Sequence, residues 1–269
     1  MMKNNEGPQK DFFAEKGELE KQFNIEQKSR EIEKEFLDIF HRVTNRHNNW
    51  MVWSDFVTLC ACAISNAVDK KHFNEREELY LKIIKKYNTE EQNLFSELMA
   101  KIVMALEDNP KQDFLGRMFM LLKIGNRDKG QFFTPYHICD LMARLTISTE
   151  EMISMIKEQG YIKVCDPTCG AGATLIATVN VINEALENTD YNAQNCLIVV
   201  GQDIDHTVAM MCYIQLSLLG MYGYIKVGNA LTEPIIANDS LDNYWFTPRY
   251  CLRRNGMNLF ETGDEIKYA

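Results

Sequence analysis

The segment Val164-Cys165-Asp166-Pro167-Thr168-Cys169-Gly170-Ala171-Gly172-Ala173 constrains this chain more than any other. A β-prone run, Tyr161 to Cys165, stops at an acid. Two glycines follow, then an apolar stretch with helical period from about Ala173 to Leu186. Without side chains at Gly170 and Gly172, backbone N–H groups can approach a ligand closely where strand gives way to helix. The same string also serves a plain strand–turn–helix connection whose glycines only permit tight packing, and a lone GxG would favour that use. The full DPTCGAG string is more specific, and it follows a predicted strand as a ligand-binding turn requires.

The pattern around it alternates. Cys196 to Val200 is a second apolar run, and a helix is predicted from about His206 to Leu219. Tyr222 to Val227 is a third strand candidate, and Tyr244 to Thr247 a weaker fourth. Alternating strand and helix implies right-handed crossovers and a parallel sheet. The second strand closes on Gly201-Gln202-Asp203-Ile204-Asp205. An acid there can accept hydrogen bonds from both hydroxyls of a ribose, or can simply be a solvated strand end. Asp205 and His206 suit a helix entrance, because a carboxylate favours a helix amino end.

Upstream the period is helical. Phe36, Ile39, Phe40 and Val43 share a face, as do Phe56, Leu59, Ala63 and Ala67. Leu79, Tyr80, Ile83, Ile84 and Tyr87 make a third stripe. Thr89 to Gln92 reads as a capping box that opens a helix with Leu94, Leu98, Ile102 and Leu106 inward. Asn109-Pro110 ends that helix, and Phe114 to Leu122 forms another. After the polar loop GNRDKG come Gln131-Phe132-Phe133-Thr134-Pro135, a helix from about Tyr136 to Leu145, and a second box at Ser148 and Glu151. The expected division is a flexible start over residues 1–20, a helical domain over 21–125 and an α/β domain over 126–269.

Composition narrows the function classes. The 269 residues carry a net charge of -9, so the broad basic footprint of a stand-alone nucleic-acid binder is missing. The tight basic cluster is Arg249, Arg253 and Arg254. Any DNA affinity is therefore expected to come largely through a partner subunit. The amino end lacks the apolar core of a signal peptide, and no apolar run is long enough to span a bilayer, which suggests a cytoplasmic protein. Eight cysteines without a CxxC pair read as buried thiols, and the five histidines do not stand at ligand spacing, so no metal is expected.

Three stretches, GQFFTPYHICDLMARL, VCDPTCGAGATLIA and GQDIDHTVAMMCYIQLSLLG, together resemble the N6-adenine DNA methylase family, most of all the modification subunits of type I restriction systems. The resemblance covers roughly residues 112 to 232. It implies a helical amino-terminal domain followed by a Rossmann-like α/β domain that uses S-adenosylmethionine to methylate DNA. By that resemblance Phe132, Thr134 and Pro135 line the methionine end of the cofactor. Asp166, Gly170 and Gly172 form the loop around the methionine moiety, Asp203 holds the ribose and Ile204 packs on the adenine. Phe132 and Ile204 suit an ordinary core equally well. Asn229 stands where the family has an acid near the cofactor adenine, and asparagine can still accept a hydrogen bond from an amine.

The chain departs from the family at the step that handles the target base. Members use a D/N/S-P-P-Y/F/W segment whose acceptors orient the adenine amine and whose ring stacks on the extruded base. Pro-Pro does not occur here. The nearest candidate is Thr247-Pro248-Arg249-Tyr250, with Thr247, Pro248 and Tyr250 as degenerate catalytic positions. The sheet is also expected to be short, with an unpaired edge that a homo- or hetero-oligomer would cover. Three readings follow: an adenine-specific DNA methyltransferase of a restriction–modification system; a catalytically degenerate cofactor-binding relative that acts as an interaction or regulatory subunit; and a helical adaptor whose α/β half is only a scaffold.

Overall fold

The computed structural model describes residues 7–124, 133–236 and 239–256. Among them, seven helices precede the first strand: α1 (Gly7–Thr44), α2 (Asn49–Asn66), α3 (Phe73–Ile84), α4 (Thr89–Asp108), α5 (Phe114–Leu121), α6 (Tyr136–Thr146) and α7 (Thr149–Gln159). Then come β1 (Ile162–Asp166), α8 (Ala173–Leu186), α9 (Ala193–Cys196), β2 (Leu197–Asp203), α10 (His206–Leu218), β3 (Gly223–Val227), β4 (Tyr244–Phe246) and α11 (Pro248–Gly256). α1 continues as one helix through residue 20, where composition places the end of a flexible start.

Most of the expected stripes become the helical core, but Ala63 and Ala67, expected on the face of Phe56 and Leu59, are exposed, and Cys60 and Cys62 are buried instead. Phe36, Phe40, Trp53, Phe56, Phe114 and Phe119 are fully buried. Their rings meet edge to face, Phe36 with Phe114 at 5.5 Å and Phe40 with Trp53 at 5.7 Å, an arrangement that opposes each ring's positive edge to its neighbour's negative face. One capping assignment needs correction. The box that opens α4 is Asn88 with Glu91, not Thr89 with Gln92. Asn88 Oδ1 accepts the Glu91 N–H at 3.0 Å, and the Glu91 carboxylate accepts the Asn88 N–H at 2.9 Å. Gln92 instead donates to the Ile84 and Tyr87 carbonyls and ties the end of α3 to α4. Ser148 caps α7 through the Glu151 N–H.

Helix α10 joins the two halves. Thr207 to Leu216 are all buried, so this helix has no solvent stripe. One side covers β2 and β3, and the other meets α2 and α5. Its Gln215 accepts the Leu115 N–H at 3.1 Å, and donates to Asp113 at 2.7 Å and to the Ala171 carbonyl at 2.9 Å. A single apolar core therefore runs from Phe36 and Trp53 to Ile225 and Trp245. A chain nicked at Arg127 or Lys129 is expected to elute as one species under native conditions, because separating the halves would bare that core. Two independently soluble fragments in gel filtration would contradict this.

The sheet is mixed rather than wholly parallel. Its order is β1-β2-β3-β4. β1 and β3 run parallel to β2, while β4 runs antiparallel to β3, with Ile225 opposite Trp245. A parallel strand would need a crossover, usually helical, and the connection after β3 forms no helix among the described residues. It folds back over the end of the sheet. The buried Lys226 ammonium holds the Pro234 carbonyl at 3.0 Å and the Asp239 carboxylate. Gln202 Nε2 donates to the carbonyls of Gly228 and Glu233. The two outer edges differ. The Arg76 guanidinium caps β4 by donating to the Tyr244 carbonyl at 2.7 Å. β1, among the described residues, pairs with β2 alone. No described helix is long and apolar enough to cross a membrane.

Candidate functional site

The carboxyl ends of β1, β2 and β3 lie side by side, and most of the cofactor positions expected from sequence gather there. β1 ends at Asp166, whose Oδ1 accepts the Thr168 N–H at 3.0 Å and starts the turn. The Cys169 N–H then donates to the Gln202 carbonyl at 2.8 Å, which fastens the turn to β2. Gly170 has φ +56° and Gly172 φ +100°, a region that side chains avoid. The two glycines act differently. A Cβ at Gly172 would come within 2.8 Å of Cys212 Sγ on α10, so Gly172 permits close packing of turn and helix. Gly170 is half-buried at the surface, and a Cβ there would touch only the Phe133 ring, at 3.4 Å.

Asp203 is the centre of the arrangement. One of its oxygens accepts the Gly170 N–H at 2.9 Å, and the other accepts the Asp205 N–H at 2.9 Å. A carboxylate has about four lone-pair directions, so each oxygen keeps capacity for another donor. Burial pushes the Asp203 carboxyl above the usual aspartate range. The two backbone N–H groups oppose that shift, and the nearby Asp205 and Asp166 charges add to it. Ile204, next in the chain, is 68% exposed. It is therefore not a core residue but an apolar surface beside the carboxylate. Asp205 caps α10 by accepting the Thr207 and Val208 N–H groups, so its place at the helix entrance is as expected.

The Gly228 N–H donates to the Asp203 carbonyl at 2.9 Å, which brings Asn229 to the same end of the sheet. Its side-chain oxygen accepts the Leu231 N–H at 2.9 Å. Thr134 and Pro135 are exposed at the start of α6. The Thr134 carbonyl accepts from the Cys139 thiol, which also contacts Thr174 in the first turn of α8. Phe132 lies outside the described residues. Its neighbour Phe133, which sequence reasoning passed over, supplies the ring under Gly170. The doubled aromatic in QFFTP was the available signal. Gln202 was also missed, although an amide inside an apolar strand run is itself a cue that the strand end is tied to a loop.

The structure does not bring Thr247, Pro248 and Tyr250 to this site. β4 runs antiparallel, so Thr247 lies beside Gly223, the first residue of β3. Asp203 pairs with Val227, the last residue of that strand. Four residues of strand, about 13 Å, separate the two levels. Thr247 is fully buried. Its hydroxyl donates to the Met221 carbonyl at 2.7 Å and accepts the N–H groups of Gly223 and Tyr250. The Tyr250 ring stacks on Phe246 and on Tyr222, with centroids 5.0 Å apart in each case. These residues close the base of the sheet and start α11. The string resembles a base-binding segment only because a threonine cap followed by proline and an aromatic also makes a good helix start.

A model of the N-6 DNA Methylase family matches residues 111–253, a span that takes in α5, the turn, all four strands and most of α11. The "Type I restriction enzyme MpnII methylase subunit" of Mycoplasma pneumoniae is 27% identical over 114 residues. That alignment covers 42% of this chain and 18% of the relative, so the chain matches less than a fifth of that protein's length.

Proposed function

The chain belongs to the N-6 DNA methylase family, and on that premise we propose that it binds S-adenosylmethionine at the Gly170–Asp203 site and serves the methylation of adenine in DNA. The observation that carries this reading is the Asp203 carboxylate, held by the Gly170 and Asp205 N–H groups beside the exposed Ile204. On this reading the three parallel strands and their crossover helices are part of a Rossmann-like sheet. S-adenosylmethionine supplies an electrophilic methyl group on a sulfonium. Asp203 takes the ribose hydroxyls, Ile204 covers one face of the cofactor adenine, and Asn229 borders its edge. Asp166, the Gly170 backbone and Thr134-Pro135 border the methionine end.

In this proposal Thr247 and Tyr250 do not receive the target amine, because both are committed to packing at the far end of the sheet. The relative named above is a methylase subunit of a restriction enzyme, which supports a restriction–modification setting, a cytoplasmic location and a partner that contributes DNA affinity. Titration calorimetry with S-adenosylmethionine tests the first step. Micromolar binding, about -8 kcal/mol, is expected, and no heat at millimolar cofactor would refute it. Transfer of tritiated methyl groups to unmethylated genomic DNA, with and without cell extract that supplies the partner, tests the second.

The pH dependence of binding has a definite sign. Ribose hydroxyls donate to an ionised Asp203, so affinity is full above its pKa and falls as the pH drops through it. Burial places that pKa above the ordinary 3.8, so the fall begins at a higher pH than a solvated aspartate would give. Asp203→Asn should flatten the profile. A wild-type affinity unchanged down to pH 4 would contradict the assignment.

A further inference from the structure

Gln215 on α10 is fully buried, and its side chain joins three separate parts of the chain. Its Oε1 accepts the Leu115 N–H of α5 at 3.1 Å. Its Nε2 donates one hydrogen to the Asp113 carboxylate at 2.7 Å and the other to the Ala171 carbonyl at 2.9 Å. The Leu115 N–H can only donate and the Ala171 carbonyl can only accept, so the amide has one orientation and no spare hydrogen. Packing alone does not ask for this residue. Met211, Ile214 and Leu216 beside it are equally buried and apolar, and a buried amide costs free energy unless its bonds are made. What those bonds hold is the middle of the glycine turn. The peptide that joins Ala171 to Gly172 is fixed at both ends, its carbonyl by Gln215 and its N–H by the Cys169 carbonyl at 2.9 Å. One residue earlier, the Gly170 N–H is fixed by Asp203. Cys212, three residues before Gln215 and on the same side of α10, packs against Gly172. At the other end of the amide, Asp113 caps α5 through the Gly116 N–H at 2.8 Å. Burial pushes the Asp113 carboxyl above the usual aspartate range, and the bonds from Gln215 and Gly116 oppose that shift. The buried acid therefore depends on Gln215 as much as the turn does.

We propose that Gln215 is a positioning residue for the cofactor site and that Asp113, in the helical half, acts through it. The pair fixes the plane of the Ala171–Gly172 peptide, and with it the shape in which the turn meets the amino-acid end of the ligand. The proposal rests on the cofactor reading given above, in which the Gly170 backbone borders the methionine end and Asp203 takes the ribose. It predicts a loss confined to one end of the ligand. Asp203 keeps the Asp205 N–H whatever happens at Ala171, so the ribose end should not feel the change. A merely structural role for Gln215 would weaken both ends alike.

The test uses the full-length chain and two probes in titration calorimetry. S-adenosylhomocysteine carries the amino-acid end, whereas 5′-methylthioadenosine keeps the adenine and ribose and lacks it. Gln215→Met removes all three bonds at nearly unchanged volume. It should weaken S-adenosylhomocysteine by roughly 5- to 150-fold and leave methylthioadenosine within about twofold of the parent. Asp113→Ala should show the same selective loss in smaller measure, because the Gln215 bond to Ala171 remains. Circular dichroism and thermal melts report whether each variant is folded. Where Gln215→Met does not fold, Gln215→Asn takes its place: it keeps the amide but is one methylene too short to reach Asp113 and Ala171 together. Equal losses for the two probes, or none for either, would overturn the proposal. An Asp113→Ala chain that binds both probes like the parent would overturn the part given to the helical half. A parent chain that binds neither probe refutes the cofactor reading itself and takes this proposal with it, so the two failures are told apart before any variant is made.

Discussion

Asp203→Ala is expected to weaken S-adenosylmethionine binding by roughly 5- to 150-fold, about 1–3 kcal/mol, without unfolding the chain. The substitution removes the acceptor for the ribose and also the partner of the Gly170 and Asp205 N–H groups. Both amides are near the surface, so water can replace the lost acceptor, and the cost should fall on the ligand more than on the fold. Calorimetry on the variant, with a thermal melt as control, separates the two. A variant that binds as tightly as the parent would show that Asp203 only pins the glycine turn. Ile204→Ala should cost less, because only the apolar area covered by the cofactor is lost.

Arg76→Leu should cost about 3–5 kcal/mol of stability, the usual result of removing one partner from a buried ion pair. Arg76 is 4% exposed. Its guanidinium donates to Asp69 at 2.8 Å and to the Tyr244 carbonyl at 2.7 Å, and lies 3.9 Å from the centroid of Trp245. His72 donates from Nδ1 to the same aspartate at 2.7 Å. Burial raises the cost of the Asp69 charge, but the His72 hydrogen bond and the Arg76 charge overcome it and hold the carboxyl below the usual 3.8. A depressed pKa stabilises the fold above the unfolded value and is lost as pH falls through the folded one. The gap between parent and variant should therefore be widest near neutral pH and narrow below about pH 4. A melting temperature within about 2 °C of the parent at pH 7 would show that the cluster carries no net stabilisation.

The local pattern was a good guide wherever one element decides its own form. Strand, acid, glycine turn and helix at 162–186 stand as the sequence predicts, because the turn chemistry is local. The stripe around Phe36 and Phe40 is buried as expected. What sequence did not show was direction and neighbourhood. A three-residue strand such as Tyr244–Phe246 alternates identically whichever way it runs, and its orientation is set by how Lys226, Asp239 and Gln202 hold the connecting loop. Thr247 therefore looked like a catalytic position and serves as a cap. Ile204 was ambiguous because exposure depends on neighbours, and Phe133 was overlooked because its partner, Gly170, is distant in the chain.

The contact between Arg76 and Tyr244 spans 168 residues, and it imposes an order in time. At roughly 5–20 residues per second, a ribosome needs on the order of 8–34 s to reach Tyr244 after it has passed Arg76. Within that interval α5 ends at Leu121, but α10, against which α2 and α5 close, does not begin until His206, about 4–17 s later at that rate. The first half of the chain must wait with part of its aromatic core uncovered. Its yield in a cell should therefore respond to translation speed and to chaperones more than a protein of the same stability whose first domain closes on itself.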